Sequence, residues 1–104
     1  MKIGVFDSGV GGLAIARAIE KALPNDEVVY VNDRAHVPYG DKTPEQLLGF
    51  VAPILQKLAG DGCKVIVIAC NTVTTTIIDS LRERIPVPLV GIEPMVKPAT
   101  YTEP

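Results

Sequence analysis

The chain has 104 residues, the size of one small domain, and folding at that size buries roughly 60–70% of the unfolded surface around a single core. Hydrophobic residues make up 47% and charged residues 21%, which is ordinary globular usage and argues against disorder. Ten Lys and Arg against twelve Asp and Glu give a formal net charge of −2, without the basic excess of a nucleic-acid binder.

No apolar run approaches the length of a membrane span. Met1-Lys2-Ile3 leads straight into a strand pattern with no signal-peptide core. Two cysteines, Cys63 and Cys70, are too few for a disulfide framework, so a reduced, cytoplasmic setting is expected.

Short apolar runs alternate with helix-period stretches, the pattern of βαβ units on a parallel sheet. Ile3-Gly4-Val5-Phe6 reads as the first strand. Ile15, Ile19, Ala22 and Leu23 then recur at helical spacing until Pro24-Asn25-Asp26 stops the helix. Val28-Val29-Tyr30-Val31 is the second strand, followed by a loop from Asn32 to Lys42 that contains Pro38-Tyr39-Gly40. Thr43-Pro44-Glu45-Gln46 is a helix start with Thr as N-cap, Pro at N1 and Gln completing a capping box. The second helix presents Leu47, Leu48, Val51, Ile54, Leu55 and Leu58 on one face, and Pro53 inside it predicts a kink.

Val65-Ile66-Val67-Ile68-Ala69 is an unbroken run suited to a strand buried on both faces. A third helix is expected from about Thr75 to Arg84, with Ile77, Ile78, Leu81 and Ile85 inward, and Pro86 ends it. Leu89-Val90-Gly91-Ile92 makes a fourth strand. The expected architecture is α/β: an open, mostly parallel four-stranded sheet with three flanking helices. Such a sheet leaves one helical layer thin and an edge uncovered, so the chain is expected to be part of a longer protein.

Ligands of open parallel sheets sit beyond the carboxyl ends of the strands. Strand one ends there in Asp7-Ser8-Gly9-Val10-Gly11-Gly12, a glycine-rich turn whose backbone amides suit an anion. Strand three ends in Ala69-Cys70-Asn71-Thr72, which puts a thiol at a helix start, a position that favours thiolate. Asn71 and Thr72 offer side chains and first-turn amides to a carboxylate. Tyr39 and Gly40 overhang the same edge as a pocket wall and an N–H donor. Plainer readings stand beside these: a tight packing turn, Cys70 as a small buried hydrophobe, and an ordinary Pro/Gly turn. Cys63, at the opposite end of its strand, reads as structural, and His36, the single histidine, as a surface loop residue. One histidine and two separated cysteines do not make a zinc site.

Taken in order and spacing, Asp7-Ser8-Gly9-x-Gly11-Gly12, Pro38-Tyr39-Gly40, Ala69-Cys70-Asn71-Thr72 and Gly91-Ile92-Glu93-Pro94 resemble the aspartate/glutamate racemase family, from Ile3 to about Ala99. The resemblance implies one lobe of a two-lobed racemase, with residues 1–99 as an incomplete N-terminal lobe and 100–104 as a tail. It implies cofactor-independent racemisation of glutamate, supplying D-glutamate for peptidoglycan, with one cysteine from each lobe on opposite sides of the substrate Cα. Cys70 matches the first-lobe catalytic cysteine and Asp7 the carboxylate that assists it. Ser8, Tyr39, Gly40, Asn71 and Thr72 match substrate-contacting positions.

Two departures stand out. Val73-Thr74 occupy positions where small Ala or Ser is more usual. The second lobe, with its Cys-Thr-His motif, has no counterpart in these residues, so the chain alone is expected to lack two-base activity. A homodimer presenting two Cys70 thiols to one substrate is a further arrangement open to it.

Other readings remain at this point. Gly9-Val10-Gly11-Gly12-Leu13-Ala14 fits a dinucleotide-binding turn, with Asp33 as the ribose carboxylate about 20 residues on. An aspartate racemase and a non-catalytic fragment with exposed apolar patches are the others.

Overall fold

The computed structural model describes residues 1–9 and 11–92, so Glu93-Pro94 of the fourth motif and the 100–104 tail lie outside the described residues. Four strands, β1 (Lys2–Asp7), β2 (Glu27–Asn32), β3 (Val65–Ile68) and β4 (Leu89–Gly91), form one sheet in the order β2-β1-β3-β4. Every pairing is parallel, with Ile3 beside Val28 and Val65, Phe6 beside Val31 and Ile68, and Val67 beside Val90.

The period-2 alternation of strand side chains divides the apolar residues between two layers. Ile3, Val5 and Val67 pack with Ala16 of helix α1 (Gly12–Ala22), flanked by the half-buried Val28 and Tyr30. Phe6, Ile66, Ile68 and Leu89 face the other way, onto helix α2 (Pro44–Gly60) and the helices that follow β3.

The buried stripe of α1 is narrower than its sequence pattern suggests. Ala16 is its centre, Ile15 and Ile19 are half-buried, and Ala22 and Leu23 are exposed. Helix α2 opens with the expected reciprocal capping box: the Thr43 hydroxyl accepts from the Gln46 N–H, and the Gln46 side chain accepts from the Thr43 N–H. The helix runs through Pro53 as one element, with Pro53 on its exposed side and Leu47, Val51, Leu55 and Leu58 buried.

The third helical segment differs from the sequence reading. It begins at Asn71, directly after Cys70, and divides at Ile77 into α3 (Asn71–Thr76) and α4 (Ile78–Arg84). The Thr74-Thr75-Thr76 run has low intrinsic helix propensity, which hid the early start. The Thr75 hydroxyl donates back to the Asn71 carbonyl at 3.0 Å, a local bond that satisfies the hydroxyl inside the short helix.

Candidate active site

The order β2-β1-β3-β4 makes the chain step from β1 to one side of the sheet and then return to the other. The carboxyl ends of β1 and β3 therefore flank the topological switch point, where a crevice opens in folds of this type. Ser8 follows β1 and Cys70 follows β3. Their side chains meet there, with Ser8 Oγ 3.2 Å from Cys70 Sγ. Cys70 is the N-cap residue of α3 and is buried, 6% exposed.

Asp7 is buried, and both of its carboxylate oxygens are engaged by the turn that follows it. Oδ1 accepts from the Ser8 N–H at 2.8 Å and Oδ2 from the Gly12 N–H at 2.7 Å. A side chain on Gly12 would not fit: a Cβ there lies 2.5 Å from Asp7 Cβ and 2.8 Å from Oδ2. The glycine-rich turn thus closes on the chain's own carboxylate. Its Ser8 and Gly12 amides, which the sequence reading offered to a bound anion, are committed to Asp7.

Tyr39 is buried in the same core cluster as Phe6 and Cys70, and its ring stacks on Phe6 with centroids 6.5 Å apart. Its hydroxyl donates to Asp33 Oδ2 at 2.6 Å. Burial, and after it the Asp33 hydrogen bond and charge, push the Tyr39 hydroxyl far above the usual phenol range, so it stays a proton donor. Gly40 is exposed next to it in a short 3-10 turn, Tyr39–Asp41. Asn71 is exposed and Thr72 half-exposed. Among the described residues neither side chain has a hydrogen-bond partner, and their N–H groups belong to the first turn of a helix, which has no internal acceptors.

The structure therefore joins Ser8 to Cys70, Asp7 to Ser8, and Tyr39 to the packing around Cys70. It draws no hydrogen bond between Asp7 and Cys70. Cys63 is buried at the far end of β3, and burial pushes its thiol up, in keeping with a packing role.

His36 lies in the loop after β2 with its side chain 39% exposed, as expected of a surface loop residue, while the dinucleotide role considered for Asp33 needs correction. Asp33 is buried, its N–H donates to the Asp7 carbonyl at 2.9 Å, and its carboxylate accepts from Tyr39 and from His36 Nδ1. With its oxygens so engaged, it is not free for a ribose. The signal available in the sequence was a carboxylate at a parallel strand end, six residues before the site tyrosine.

Fold and site together define an open parallel α/β lobe with a thiol–hydroxyl pair at its switch point. The family model for Asp/Glu/Hydantoin racemase matches residues 3–100, and the chain belongs to that family. It is 48% identical over 100 residues to the glutamate racemase of Ralstonia nicotianae, covering 96% of this chain and 36% of that one. It is 50% identical to the glutamate racemase of Ectopseudomonas mendocina, covering 93% and 37%.

Among solved structures, Escherichia coli glutamate racemase in complex with L-glutamate and the activator UDP-MurNAc-Ala superposes with a TM-score of 0.83 at 36% identity, covering 94% of this chain and 37% of that one. The Francisella tularensis glutamate racemase in complex with D-glutamate superposes with a TM-score of 0.78 at 37% identity, covering 86% and 35%. The chain thus spans about a third of the length of the curated relatives it matches.

Proposed function

We propose that this chain supplies one catalytic face of a cofactor-independent glutamate racemase, with Cys70 as the thiol that exchanges a proton with the substrate Cα. The observation that carries the reading is the Ser8–Cys70 contact at the switch point. It is supported by relatives named glutamate racemase and by solved neighbours described with L- or D-glutamate.

The Cys70 thiolate takes the α-proton of one enantiomer, forming S–H and leaving the electron pair delocalised from Cα into the adjacent carboxylate. A second thiol, from the remaining part of a two-lobed enzyme, delivers a proton to the opposite face, and inversion follows from that geometry. The Ser8 hydroxyl donates to the Cys70 thiolate when it forms. Asp7, the assisting carboxylate, acts by orienting Ser8 and the turn to Gly12. Asn71 and Thr72 present donors to the developing negative charge, while Tyr39 and Gly40 wall the pocket.

With one such cysteine at this sheet end, the chain alone does not racemise. In the complete enzyme the product is D-glutamate for peptidoglycan, made in the cytoplasm.

Substrate protection of Cys70 tests the reading. Iodoacetamide should modify Cys70 in preference to Cys63, and millimolar D- or L-glutamate should slow that modification more than aspartate does. Equal protection by both amino acids would transfer the site to a less selective racemase. Protection by neither would remove glutamate from the account.

A further inference from the structure

Beyond the pair at the switch point, one buried carboxylate ties the site loop to the strand tips. Asp33 is 7% exposed and lies one residue past β2. Its N–H donates to the Asp7 carbonyl, so its main chain is fixed to the tip of β1. One of its carboxylate oxygens, Oδ2, accepts from the Tyr39 hydroxyl at 2.6 Å, and His36 Nδ1 stands 2.9 and 3.0 Å from Oδ2 and Oδ1. The His36 ring is in turn stacked on Phe50 of α2, with centroids 3.9 Å apart and planes 12° from parallel.

We infer that Asp33 and His36 are positioning residues: the chain Phe50–His36–Asp33–Tyr39 holds the Pro38–Gly40 loop so that Tyr39 packs on Phe6 beside Cys70. Three features carry this. The carboxylate is buried, where an unpaired one is strongly disfavoured, so its donors are required and not decorative. Each donor comes from the loop itself, so the bonds fold that loop onto the sheet end. The histidine, the outermost member, is clamped by an aromatic face on a different element, which gives the network a fixed outer support. Neither residue touches the reacting atoms; both act through Tyr39. The inference rests on the reading of Cys70 as the reactive thiol, but its geometry is tested without any substrate.

The experiment uses the 104-residue chain without added ligand. His36 is its single histidine, so one imidazole signal reports it. Nitrogen-15 spectra of neutral His36 should show the Nδ1–H tautomer, fixed by Asp33, and Asp33→Asn should return the ring to the Nε2–H form that free imidazoles favour. The rate of Cys70 alkylation should rise several-fold in His36→Ala as the loop loosens.

His36→Asn, which places an amide N–H where Nδ1 stands, should restore the slow rate. Asp33→Asn and Tyr39→Phe should each raise it, with the double variant no faster than the quicker single, as members of one chain behave. An unchanged tautomer in Asp33→Asn, or a His36→Ala rate equal to that of the parent chain, overturns the inference. These readouts are independent of glutamate protection, so failure of the proposed function shows separately. His36 is partly exposed, so its variants stay informative where Asp33→Asn does not fold.

Discussion

Ser8 Oγ and Cys70 Sγ stand 3.2 Å apart although 62 positions separate them in the chain, because β1 and β3 are sheet neighbours and both end at the switch point. A hydroxyl at that distance is set to donate to a thiolate, and hydrogen bonds to charged groups are worth about 1.5–3 kcal/mol. Ser8→Ala should therefore slow proton exchange at glutamate Cα by about ten- to a hundredfold. Its urea unfolding midpoint should move little. A Ser8→Ala chain with parental exchange would remove the hydroxyl from the chemistry.

Two glycines give a paired test of close packing. A Cβ at Gly12 meets Asp7 Cβ, Cγ and Oδ2, the centre of the loop's own anchor. A Cβ at Gly91 meets Thr74 Cγ2 at 2.7 Å and Ile78 Cδ1 at 2.8 Å; the Ile78 end can turn away, while the stiffer Thr74 must shift. Overpacking costs typically about 1–3 kcal/mol. Gly12→Ala should fall at the upper end, lose the Asp7–Gly12 bond and accelerate Cys70 alkylation. Gly91→Ala should cost less than Gly12→Ala and leave that rate unchanged. Urea denaturation and iodoacetamide kinetics on both variants check the ordering.

Helix α2 depends on its first turn. Thr43→Ala removes the acceptor for the Gln46 N–H and should cost about 1 kcal/mol. Gln46→Ala should cost less, since position N3 lies inside the helix, where the higher helix propensity of Ala offsets part of the lost bond. Equal losses in urea melts would show that both bonds matter alike.

Stability should also fall at alkaline pH. Burial raises the Cys63 thiol, and burial with Asp33 raises the Tyr39 phenol. Both groups are neutral when protonated, so the folded state binds these protons more tightly than the unfolded chain does. Their contribution is full below the unfolded values, about 8.5 for Cys and about 10 for Tyr. It is lost as pH climbs above them towards the folded values. Cys63→Ala and Tyr39→Phe should each flatten the decline of the urea midpoint above about pH 8.5–10. A parent chain whose midpoint is constant up to pH 10.5 would contradict both assignments.

The sheet was legible because its strands are short apolar runs, β-branched in β2 and β3, with clear stops, and α2 because Thr43, Pro44 and Gln46 mark its start. The Thr74-Thr75-Thr76 run concealed α3, since its helical state rests on tertiary placement after β3 and not on propensity. The meeting of Ser8 and Cys70 was legible only as two strand ends on one edge; the contact itself is a product of strand order. His36 is the surface loop residue its position suggests, but its contacts with Asp33 and Phe50, and that of Asp33 with Tyr39, are fixed by the path of the loop, which no local pattern specifies. The same holds for the glycine-rich turn. A motif search sees a cradle for a phosphate, whereas Asp7, one residue before Ser8, folds back to fill it.

The central claim is that Cys70 exchanges a proton with glutamate Cα, and the most direct test follows that proton. The purified chain is incubated separately with D- and L-glutamate in deuterated buffer, with Cys70→Ala as control, and the α-proton signal is followed by NMR. The account predicts loss of the signal from one enantiomer only, dependent on Cys70 and without net inversion. Loss that persists in Cys70→Ala, or no loss from either enantiomer, would contradict it.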